Sequence, residues 1–186
     1  SRTLNESSTG ALLNLSGAAT VFITAAALDI MDNISVGTAV STTSGTAIDF
    51  TGIPSWANRI TVIFGQVSTS GSSNLLVRIG DGAITTTGYV STGMATGNGN
   101  LVSAANNTTG FVMFQSGAAG AIVGQMVLTR LTGNSWISSH VTTIDTLNGR
   151  HGSGTKVLTN ALDRIRITTV NGTDTFDLGF INIFWE

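Results

Sequence analysis

Apolar and polar residues alternate along most of this chain with a period of two, the spacing of a strand that buries one face. Ile60, Val62 and Phe64 oppose Arg59, Thr61 and Ile63, and Ile165 and Ile167 oppose Arg164, Arg166 and Thr168. Turn-forming residues punctuate these runs, so from Gly37 onward the pattern predicts strands at Thr46–Phe50, Arg59–Val67, Leu75–Ile79, Ile84–Val90, Gly110–Phe114, Ile122–Leu131, Ser135–Ile144, Thr155–Leu158, Arg164–Val170 and Phe180–Trp185. The Gly-rich stretches between them, including Ser68–Ser73, Gly93–Thr109, Gly117–Gly120 and Leu147–Gly154, read as loops. Gly133-Asn134 and Asn171-Gly172 are hairpin signals. Strands in this number, with two long loops, point to an all-β, jelly-roll-like antiparallel β-sandwich, a closed up-and-down barrel being the next choice. No internal repeat supports a propeller or a long β-helix.

The texture changes near Val36. Residues 1–36 form an apolar arm or attachment segment and residues 37–186 the sandwich. The arm suits a short helix or extended segments, and its apolar groups are too many to bury by themselves. Leu15, Phe22, Leu28 and Ile30 are therefore candidate contacts to other subunits or to a larger particle. The competing reading makes this stretch a first strand and loop of the same domain. Ala11–Met31 is the most apolar run, but Asn14, Ser16, Thr20, Thr24 and Asp29 interrupt it and no basic region precedes it. Neither membrane insertion nor a signal peptide fits. The chain opens on Ser1 rather than Met, which leads us to expect a processed product or a fragment.

Composition sharpens this picture. Only 10% of residues are charged, against roughly 25% in an ordinary domain. Mean hydropathy is +0.31, so neutral hydroxyls and amides, or partners covering the surface, must keep the chain in water. The net charge of −2 and the scattered Lys and Arg residues leave no basic stripe for nucleic acid. The absence of cysteine removes disulfides, thiolate nucleophiles and zinc–thiolate sites together.

Candidate chemistry is thin. His140 shares a strand face with Ser138 and Thr142, but no Gly-x-Ser-x-Gly elbow accompanies them. Asp81, Asp145, Asp163, Asp174 and Asp177 could supply a pair of carboxylates for glycan cleavage, yet none stands in a motif and turn aspartates are the plainer reading. Asp174 and Asp177 lack the oxygen-rich loop that calcium needs, so no metal site and no cofactor is expected. A binding role needs less. The loop Asp145–Gly154 brings together Asn148, Arg150 and His151, and Trp136 would add a stacking face for a sugar if it pointed outward. These four are the candidate ligand-binding residues, weighed against a solvated loop with a buried Trp136. The loop Gly93–Thr109 carries Asn98, Asn100, Asn106 and Asn107 without an aromatic, so its contacts would be hydrogen bonds alone.

Three strings stand out together: Ile48-Asp49-Phe50-Thr51-Gly52-Ile53-Pro54-Ser55-Trp56, then Arg164-Ile165-Arg166-Ile167-Thr168-Thr169-Val170-Asn171-Gly172-Thr173-Asp174-Thr175-Phe176-Asp177, then Gly179-Phe180-Ile181-Asn182-Ile183. Over about Thr38 to Glu186 the chain resembles a family of C-terminal β-sandwich domains of tailed-bacteriophage and prophage virion proteins of the fibre, tail-tip or head-decoration type. That resemblance implies a non-enzymatic virion part, commonly a homotrimer, partnered by its own copies and other virion proteins, with distal loops reaching the host surface. It supplies no functional residues. A host-glycan-binding receptor-recognition module is the alternative, and a polysaccharide depolymerase a more distant one.

Overall fold

The computed structural model describes residues 4–7, 10–13, 21–23, 34–97, 100–115, 117–118, 120–144 and 148–186. It divides into two compact units, Ser1–Ser35 and Val36–Glu186. The first contains β1 (Leu4–Ser7), β2 (Gly10–Leu13) and β3 (Val21–Ile23), an antiparallel sheet in which Leu4 faces Leu13 and Leu12 faces Phe22. The short β4 (Ser35–Val36) follows.

The second unit is built of antiparallel strands throughout. They are β5 (Val40–Ser41), β6 (Ala47–Thr51), β7 (Arg59–Thr69), β8 (Leu75–Gly80), β9 (Tyr89–Gly97), β10 (Asn100–Asn107), β11 (Phe111–Met113), β12 (Ile122–Thr132), β13 (Ser135–Thr143), β14 (Asn148–Val157), β15 (Arg164–Thr169) and β16 (Phe176–Trp185). The larger sheet runs β10-β9-β14-β13-β12-β7-β16, with β5 also paired to β16, and the smaller runs β11-β8-β15-β6. Side chains from both sheets meet in one apolar core: Ile60, Val62, Phe64 and Met126 from the larger, Val77, Ile79, Ile165 and Ile167 from the smaller. This is a β-sandwich, and its alternation is the one legible in the sequence.

Two predicted loops are strands. Gly93–Thr109 forms most of the β9–β10 hairpin, with Asn106 opposite Thr92, and Leu147–Gly154 falls largely in β14, paired with β13 on one side and β9 on the other. Small and polar residues suppressed the hydrophobic signal there, but the ladder needs only backbone N–H and C=O groups.

Two central strands bend at one level. Gln66 in β7 has φ of 58°, and Gly179 in β16 has φ of 93°, where a Cβ would press on the backbone of Gly65 and Gln66. The register between β16 and β7 shifts on both sides of Leu178, the signature of β-bulges that turn a strand without ending it.

Tyr89 closes the gap left by the short β11. Its hydroxyl accepts a hydrogen bond from the Ile79 N–H at 2.8 Å and stands 3.1 Å from the carbonyl oxygens of Ile79 and Thr85, either of which takes its proton. Burial pushes its phenol pKa up, against those bonds. Phe111 packs edge-on to its ring at 5.0 Å between centroids. Tyr89→Phe keeps the ring and strands a buried N–H, so it is expected to cost about 1–3 kcal/mol in urea unfolding.

Candidate functional site

β13 alternates strictly. Trp136, Ser138, His140 and Thr142 are buried, whereas Ile137, Ser139, Val141 and Thr143 face out. Trp136 lies in the core at 2% exposure, so it offers no stacking face to a sugar. The expectation of an outward stacking face is corrected by strand parity, which pins it opposite Arg130 and Lys156 on the inward side.

Arg150 is corrected too. It belongs to β14 rather than to a mobile loop, is 3% exposed, and holds its guanidinium 5.6 Å from the centre of the Phe114 ring while Nη1 donates to the Gly149 carbonyl. His151 points the other way, half-buried on the outer face between Val141 and Met94. Asn148 begins β14, and nothing further is described of its side chain. The structure thus scatters the predicted cluster: one core residue, one buried cation, one outer imidazole. Of the predicted arm contacts, Phe22 lies in β3, and Leu15, Leu28 and Ile30 fall outside the described residues.

Beneath β11 lies a polar layer. Ser138 Oγ, His140 Nε2, Thr142 Oγ1 and Gln115 Oε1 are buried without a hydrogen-bond partner among the described residues. Burial, assisted by the nearby His151, lowers the His140 pKa to about 4, so its imidazole is neutral at pH 7. Ser138 and His140 are 1% and 4% exposed, which denies them any substrate in solution. Among the described residues, no three His, Asp or Glu side chains group as a metal site would require.

Gly93, Gly152 and Gly154 let this layer close. A Cβ on Gly93 would sit 2.8 Å from the Val112 carbonyl oxygen, and one on Gly154 would sit 2.8 Å from the Phe111 ring. The Val112 N–H donates to Ser91 Oγ at 2.8 Å, fastening β11 to β9.

The outer face of the larger sheet is different in character. Val90, Leu131, Val141 and Val157 are each more than 60% exposed, and Val123 and Ile137 join them. Thr, Ser and Gln fill the positions between. At one corner Arg59 is paired with Glu186 at 3.2 Å. From Gly82 to Thr129 the sequence holds no Asp, Glu, Lys, Arg or His.

At the margin of this face, β9 and β10 border an open cleft of about 480 Å³, lined by Tyr89–Thr92 and Asn106–Thr108. Thr92 Oγ1 and Asn106 Oδ1 lie 2.8 Å apart, and Asn107 Oδ1 accepts from both the N–H and the hydroxyl of Thr109. The asparagines were visible in the sequence; setting Asn106 against Thr92 required the hairpin that the loop reading missed.

Compared with known protein families, curated proteins and solved structures, the chain finds no match.

Proposed function

We propose that this chain is a structural component of a tailed-bacteriophage virion, fibre-like or surface-decorating, that assembles as a homotrimer, works without catalysis and touches the host surface. The observation that carries the reading is the outer sheet face, a sparsely charged surface on which Val123, Ile137, Val141 and Val157 stand exposed. Covering apolar area favours association by roughly 25 cal/mol per Å², and with so few ions little desolvation opposes it. A patch of this kind marks an interaction surface.

Strand order supports the jelly-roll form of the sandwich. Numbering β5, β6, β7, β8, β11, β12, β15 and β16 as strands 1 to 8, one sheet reads 1-8-3-6 and the other 2-7-4-5, with β9, β10, β13 and β14 extending the first. The sequence resemblance to virion sandwich domains points the same way.

Light scattering at micromolar concentration tests the assembly. The expected result is a trimer that dissociates on the double substitution Ile137→Asp, Val141→Asp while the sheet signal in circular dichroism persists. A monomeric parent chain removes the homotrimer; a trimer indifferent to both aspartates moves the contact elsewhere.

A further inference from the structure

We infer that the cleft between β9 and β10 binds a neutral saccharide. This deepens the host-contact part of the proposed function and relocates it away from Trp136 and Arg150, which the core holds.

The argument starts from which polar atoms are already used. Asn106 Oδ1 is taken by Thr92 Oγ1 at 2.8 Å, and Asn107 Oδ1 is taken twice by Thr109, at 2.7 and 2.8 Å. The Asn106 amide is thereby fixed in orientation on the face it shares with Val90 and Thr92 and keeps its Nδ2 as a donor, whereas Asn107, the next residue of β10, belongs by strand parity to the opposite face. A pre-set N–H₂ group and the Thr108 hydroxyl are what a sugar's hydroxyl, ring or acetamido oxygens require, and fixing the amide beforehand removes the entropy cost of ordering it on binding. Val90, 68% exposed, supplies an apolar patch for the C–H face of a pyranose.

Charge decides the ligand class. No formal charge occurs between residues 82 and 129, so the cleft walls carry none. The neighbouring cations are committed: Arg78 Nε donates to the Thr109 carbonyl at 2.8 Å, and Lys156, 8% exposed, lies over the Tyr89 ring at 5.3 Å. A carboxylated or sulfated sugar would lose water without gaining a counter-charge. The cleft volume of about 480 Å³ lies within the usual range for small-ligand sites and has room for a disaccharide unit.

The experiment titrates lactose, maltose and N,N′-diacetylchitobiose, with 3′-sialyllactose as the anionic comparison, into the full chain while amide resonances are followed by NMR. At least one neutral disaccharide is expected to bind in the millimolar range and move the resonances of 89–92 and 106–108. Asn106→Leu and, separately, Thr108→Val should each weaken that binding by about tenfold, the effect of one hydrogen bond to the ligand. The inference is overturned if no neutral sugar moves those resonances, if both variants bind as the parent does, or if sialyllactose binds more tightly than lactose. Light scattering on the same samples reports assembly separately, so loss of sugar binding from an intact trimer discards the cleft and leaves the virion reading standing.

Discussion

Lowering the pH from 7 to about 4 is expected to take about 3 kcal/mol from the stability of the sandwich through His140 alone. Its folded pKa is near 4, against 6.5 for a free imidazole. Above pH 6.5 both states hold it neutral, and it contributes no pH dependence. Between pH 6.5 and 4 the unfolded chain binds a proton that the folded chain refuses, so stability falls by about 1.4 kcal/mol per pH unit and levels off below 4. Nothing nearby relieves the cost. Arg150 is buried on the adjacent strand, His151 opposes protonation from the outer face, and no carboxylate pairs with the ring among the described contacts. Asp163, whose carboxyl is held below its ordinary range by Arg164, titrates at the acid end and leaves the upper part of the window to His140. Urea unfolding at several pH values gives the slope. His140→Leu should flatten it between pH 6.5 and 4.5, whatever its effect at neutral pH; a parent and variant with parallel slopes would refute the assignment.

Gly152→Val is expected to be among the more damaging single substitutions in the larger sheet, costing about 4 kcal/mol or more. A Cβ at Gly152 would press into the Thr92 carbonyl oxygen and the His140 ring and come within 2.9 Å of the Gly93 Cα. Two of those three obstacles are main chain, which cannot swing aside. The same valine at Ser153, exposed on the opposite face of β14, should change stability by under about 0.5 kcal/mol, so thermal unfolding of the pair separates the steric term from a general intolerance of the strand. Equal melting temperatures would dispose of the close-approach argument.

These two residues also show why part of the fold was legible and part was not. In β7, β12 and β15 large apolar side chains fill most inward positions, so a period of two is written in hydrophobicity and was read correctly. In β14 the inward positions are Arg150, Gly152, Gly154 and Lys156, and in β9 they include Ser91 and Gly93. There the period survives only as small against larger, a signal that loops imitate. Glycine in a strand where another backbone passes closely was the clue available; that backbone is β9 for Gly152 and Gly154, and β11 for Gly93. Trp136 was placed on the right strand; its inward direction followed from sharing parity with His140, which the sequence already displayed. The cleft could not be foreseen, because Asn106 reaches Thr92 only once β10 folds back on β9.

The close approach of the β9 backbone to the glycines of β14 has a consequence for how such a chain can change over time. In an ordinary core a gained methyl is absorbed when a neighbour loses one, and the pair drifts together. At Gly152 and Gly154 the opposing surface includes carbonyl oxygens that no mutation can trim. That stretch is closed to compensating exchange, and novelty in β14 is channelled to its alternate residues, His151, Ser153, Thr155 and Val157, the ones that meet the world outside.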